Sequence, residues 1–163
     1  MNLDYIVSSL PALSFAEKPA VTMEQFASAC GGECPEMPRE WIDLDTQIRN
    51  TIAECRARAD DARPHGGCSI YWRERVRECF AEADTFRRDE MLDKVWWDAA
   101  GELTKPAEPL GKGALFTYAI RLKIALRRAL ISSAEGSMAF TKLTDIAAQA
   151  HTGGQNEISG EQQ

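Results

Sequence analysis

Between Ala114 and Ala134 the chain reads "ALFTYAIRLKIALRRALISSA" and is apolar nearly all round. Wound at about 100° per residue, it places Thr117, Arg121 and Arg128 on one narrow stripe. Leu115, Ala119, Leu122, Leu126 and Leu130 face the other way. A helix with so little polar surface has to be enclosed by neighbours. The segment therefore predicts a central helix and, around it, other helices that each offer one apolar face.

Those neighbours are legible along the chain. Thr22 with Gln25 three residues later forms a capping box, followed by Met23, Phe26, Ala27 and Cys30 at helical spacing; Gly31 and Gly32 stop that helix. From Pro38 to Ala62, Trp41, Leu44, Ile48, Ile52, Cys55 and Ala59 recur at steps of three and four on a single stripe. The turn "ARPHGGCS" (Ala62 to Ser69) separates it from a helix capped by Ser69, whose stripe is Trp72, Val76, Cys79, Phe80 and Ala83. Asp84 caps a further helix, Thr85 to Leu103, with Phe86, Leu92, Val95, Trp96, Ala99 and Leu103 as its buried positions. "TKPAEPLGKG" (Thr104 to Gly113) reads as a loop. Gly136 ends the central helix, and Ser137 caps a last one carrying Phe140, Leu143, Ile146 and Ala150. The stretch "YIVSSLPALSF" (Tyr5 to Phe15) packs into the body; its first part could be extended, but Asp4 ahead of it also permits a short helix ended by Pro11. No β pattern competes. The expectation is an all-α fold: one antiparallel helical domain of about six helices over residues 1–150, and a loose tail over 151–163. With about 1.5–3 kcal/mol for each fully buried large side chain, the stripe positions offset the ordering entropy without metal or disulfide.

Charge and cysteine usage narrow the function. A formal net charge of -6 repels phosphate backbones, which argues against a nucleic-acid partner. No apolar run approaches the roughly 20 residues of a spanning helix, and no Lys or Arg precedes Tyr5 as a secretory signal would require. Five cysteines, an odd number at irregular spacing, do not suit a disulfide scaffold and suggest a reducing cytoplasm.

Reactive motifs are sparse. "CGGEC" places Cys30 and Cys34 so that, with Cys68, His65 or Cys79, they could hold zinc, although no second pair stands at matching distance. Cys30 and Cys79 also continue apolar stripes, as buried free cysteines do. His65 and Cys68 in "HGGCS" suggest a nucleophile and base, but no orienting acid accompanies them. "GKG" (Gly111 to Gly113) lacks the spacing of a phosphate-binding loop. The pair Trp96–Trp97 carries more information. Adjacent residues diverge by about 100°, so one ring can enter the core while the other stays at its margin, as core edge or partner anchor. Arg121, Lys123, Arg127 and Arg128 form either a solvated stripe or pairs with acids such as Asp89, Asp93 or Asp98. Asp93, Trp96, Trp97, Arg121 and Arg128 are the candidate interface residues.

Together these segments resemble a group of short bacterial proteins of unknown function encoded beside V-type ATPase subunits. The resemblance rests on "YIVSSLPALSF...KPAVTMEQFASAC", "IRNTIAECRARA", "LDKVWWDAAGEL" and "LFTYAIRLKIALRR...AEGSMAFTKL", in order across about residues 4–147. Cys34 to Pro38, the loop around His65 and Asp89, where Glu is expected, depart from it. More remotely the chain is similar to the all-helical C (d) subunit that caps the rotor ring. The resemblance implies a cytoplasmic, non-catalytic accessory or structural protein whose partners are V-type ATPase subunits, without a cofactor or direct membrane insertion. The alternative from a different class is a small metal- or thiol-binding protein using Cys30, Cys34 and Cys68.

Overall fold

A computed structural model describes residues 3–32, 36–57 and 69–131. These contain six α-helices and no strand: α1 (Leu3–Ser9), α2 (Met23–Ala29), α3 (Arg39–Cys55), α4 (Ile70–Cys79), α5 (Thr85–Ala100) and α6 (Lys112–Leu130), with a 3-10 turn over Gly101–Leu103. The fold is all-α. The expected last helix after Ser137, the tail and the "HGGCS" turn up to Cys68 lie outside the described residues. The chain divides into one unit over Met1–Leu126 and another over Arg127–Gln163, of which residues 127–131 are described.

Local chemistry sets most of the helix ends. The Thr22 hydroxyl accepts from the Gln25 amide at 3.2 Å, and the Gln25 side chain accepts from the Thr22 amide at 2.8 Å. This reciprocal pair satisfies two amides that the first turn leaves without helical partners. At the other end of α2, Gly31 and Gly32 take φ of 96° and 100°, the left-handed region that glycine enters at no steric cost. Asp84 caps α5 through Oδ1, which accepts from the amides of Phe86 (2.9 Å) and Arg87 (3.4 Å). Ser69 occupies the cap position of α4 but makes no side-chain cap bond; its carbonyl accepts from Gln47 Nε2 at 2.7 Å. The third helix stops at Cys55, where the chain turns through Ala57 at φ 55°; the expected stripe position Ala59 lies outside the described residues.

Contacts between helices define their order. Along α4 and α5 they run in opposite senses: Trp72 Nε1 donates to Glu102 just beyond α5, Arg75 meets Asp98, and Arg88 lies over Phe80. Helices α5 and α6 are likewise antiparallel, with Thr117 against Ala100 and Arg121 against Trp97. Along α3 and α4 the contacts advance together, from Gln47–Ser69 to Glu54 with Arg73 and Arg77. One apolar cluster joins Trp41, Ile48, Ile52, Trp72, Val76, Leu92, Val95, Ile120 and Ile124 among others. A second joins Ile6, Phe26, Cys30, Leu115, Ala119 and Leu122, so that the Tyr5–Phe15 stretch packs into the fold through Ile6, with Val7, Leu10 and Leu13 partly buried, while Tyr5 stays exposed. Both clusters draw on α6, which is buried on opposite sides at Leu115, Ala119 and Leu122 and at Thr117, Ile120 and Ile124.

Leu122 is 0% exposed and belongs to the second cluster. Leu122→Ala is expected to cost about 2–5 kcal/mol, and Thr22→Ala, which removes one exposed cap, about 1 kcal/mol. Urea denaturation followed by circular dichroism measures both, and equal losses would contradict this packing.

Candidate contact site around the two tryptophans

The two tryptophans of α5 turn to different surroundings. Trp97 is 7% exposed. The ring of Phe15 meets it edge-on at 5.5 Å between centroids, and the Arg121 guanidinium lies 5.2 Å from its centroid. Trp96 is half-buried at the margin of the first cluster. Its Nε1 donates to Asp45 Oδ1 at 2.9 Å, and Arg49 stands over the ring at 5.7 Å. Arg49 in turn donates from Nε to Asp45 Oδ2 at 2.8 Å. Both oxygens of one α3 carboxylate are thus engaged around Trp96. One turn earlier on α3, Ile42 is 49% exposed.

The expected burial of Trp96 and Phe86 is corrected here. The buried residues of α5 are Leu92, Asp93, Val95, Trp97, Ala99 and Ala100. They cover more than half of the helix circumference at about 100° per residue. Trp96 points within that arc, but its large ring reaches past the core to Asp45 and Arg49. Phe86 lies in the first turn and is 53% exposed. Asp93, only 4% exposed, is inside the unit, as is Trp97; neither belongs to a surface.

Arg121 performs a specific task at the end of α5. The last four carbonyls of a helix have no partners within it, and they carry the negative end of its dipole. Helix α5 has no basic residue in its own last turn. Arg121, from α6, donates from Nε to the Trp97 carbonyl at 3.0 Å, and Thr117, one turn earlier, donates to the Ala100 carbonyl at 2.7 Å. With its proton so committed, the Thr117 oxygen accepts from the Thr104 hydroxyl at 2.9 Å. Burial lowers the Arg121 pKa from its usual value, and the nearby Asp98 carboxylate opposes that shift. Asp98 itself is held by Lys94 at 2.6 Å and by Arg75 at 3.9 Å. Of the acids expected to pair with the basic stripe, Asp98 is the one whose charge reaches Arg121.

Two glycines permit this approach. A Cβ at Gly113 would stand 1.8 Å from the Leu103 carbonyl oxygen, and one at Gly101 would stand 3.0 Å from Arg121 Nη2. The glycine of "GKG" is therefore a packing residue where α6 begins. Arg128, in the second unit, is half-buried in the last turn of α6, where a cation complements the helix's negative end.

Cys30 is buried in the second apolar cluster, and Cys34, His65 and Cys68 lie outside the described residues. Among the described residues no group of three or more His, Cys, Asp and Glu side chains is placed to hold a metal ion. Cys79 donates from Sγ to the Arg75 carbonyl at 3.2 Å. Burial raises the pKa of Cys55 and of Cys79, partly opposed by Arg77 and Arg75 respectively, and burial alone raises that of Tyr118. No helix among the described residues is long and apolar enough to cross a membrane.

Asp45 and Arg49 were not among the sequence candidates. The available signal was their spacing of four residues beside the Trp41, Leu44 and Ile48 stripe, which places an acid and a base at its edge. No family model, curated protein or solved structure matches this chain.

Arg121→Glu removes the donor to Trp97 and sets an anion against the negative end of α5. It is expected to cost about 1.5–3 kcal/mol, the range for losing a hydrogen bond from a charged group, here at a half-buried site. Arg73→Glu, which disrupts one partly exposed pair with Glu54, is expected to cost about 1 kcal/mol or less. Gly113→Ala is expected to cost about 1–3 kcal/mol or more by displacing the start of α6. Thermal and urea unfolding rank all three, and equal melting of the two arginine variants would refute the role given to Arg121.

The raised acids also set an alkaline limit. Each is protonated in the folded state at pH values where its unfolded counterpart ionises, so stability is fully present below the unfolded value and falls as pH rises toward the folded one. The decline is expected to begin near pH 9.0 for the thiols and to be reinforced near pH 10.0 by Tyr118. Melting temperature measured against pH checks this, and Cys79→Ala should flatten the first part of the decline.

Proposed function

We propose that this protein is a non-catalytic accessory or structural component of a V-type ATPase, working in the cytoplasm through protein contacts as a stalk element, rotor-ring adaptor or assembly factor. The ATPase partner comes from the ordered resemblance over about residues 4–147. The observation that carries the contact role is the margin of the first cluster. There Trp96 is half-buried and held from two sides by α3, with Ile42 exposed one turn away. Trp and Arg are the residue types that most often dominate binding energy when a partner covers them. The directional bonds joining α6 to the end of α5 favour a stiff body, which suits a part that transmits or resists torque.

The test is recovery of tagged full-length protein from native membranes under gentle extraction, with companions identified by mass spectrometry. ATPase subunits are the expected companions. Ile42→Glu and Arg49→Glu should reduce their recovery about tenfold or more, the equivalent of about 1.4 kcal/mol, with melting temperatures little changed. Arg87→Glu, at an exposed position, should leave recovery intact. Absence of ATPase subunits would overturn the assignment. Zinc at about one per chain in protein purified without chelators would instead favour a site built on Cys30, Cys34 and Cys68.

A further inference from the structure

We draw no further inference here: the strongest candidate, the thiol pair Cys55 and Cys79 at the C-terminal ends of α3 and α4, rests on the electrostatic coupling of the two sulfurs alone, with no second observation that brings them to bonding distance.

Discussion

The end of α5 is the constraint on which the rest of this helical unit depends. Apolar burial supplies most of the free energy of such a fold, but it is non-directional and tolerates sliding. Hydrogen bonds to particular carbonyls do not. Thr117 and Arg121 bond to the Ala100 and Trp97 carbonyls, and the one-turn spacing on α6 matches the three-residue spacing on α5. A shift of α6 by one residue would lose both bonds, each contributing about 0.5–1.5 kcal/mol or more where the donor is charged. Gly113 belongs to the same device, since a side chain there would clash with the Leu103 backbone, while one at Gly101 would press on the Arg121 guanidinium.

This corner also gathers distant parts of the chain. The Arg121 guanidinium lies over Trp97, Trp97 meets the edge of Phe15, and Lys94 lies 5.5 Å from the Phe15 ring centroid. One cation thereby helps to position an aromatic residue that belongs to the segment following α1. Its energetic weight differs from that of the surface pairs. Arg73–Glu54 and Arg77–Glu74 are partly exposed, and such pairs typically contribute about 0–1 kcal/mol. A count of opposite charges on this surface would overstate its electrostatic stability and miss Arg121, whose Nε donates to a carbonyl at the end of α5.

What the amino-acid order revealed depended on the range of the interaction. The capping box at Thr22 and Gln25, the glycine stop after α2 and the Asp84 cap are local, and each was readable from a few neighbouring residues. So was the central position of α6, because too little of its circumference is polar. The orientation of Trp96 and Trp97 was not readable in the same way. Both fall within the buried arc of α5, and the choice rests on Arg121, Phe15 and Asp45, which are remote in sequence. The end of α3 was missed because Ala57 adopts a left-handed conformation, and alanine carries no signal for it. In the candidate site, it was legible that one of the two adjacent tryptophans would be marginal, but not that it would be Trp96, which the helical stripe assigns to the core. Asp45 and Arg49 were not legible, because an acid and a base four residues apart look like any exposed helical pair until a tryptophan from another helix is seen beside them.

For the contact role proposed above, the fixing of Trp96 has a thermodynamic consequence. Immobilising a rotamer-rich side chain at an interface costs about 0.5–1.5 kcal/mol. Here the indole is already oriented by its bond to Asp45 and by Arg49 over its face, so that ordering is met when the unit folds. The same arrangement limits how a partner can approach. Asp45 Oδ1 and Oδ2 are engaged by Trp96 and Arg49, so an incoming group finds an aromatic ring, an aliphatic Ile42 and a guanidinium rather than an unneutralised carboxylate. Such a surface favours shape-matched apolar contact, with the arginine able to accept an acidic neighbour. Its affinity would depend on how well a partner excludes water from the ring, not on long-range attraction to an acidic chain.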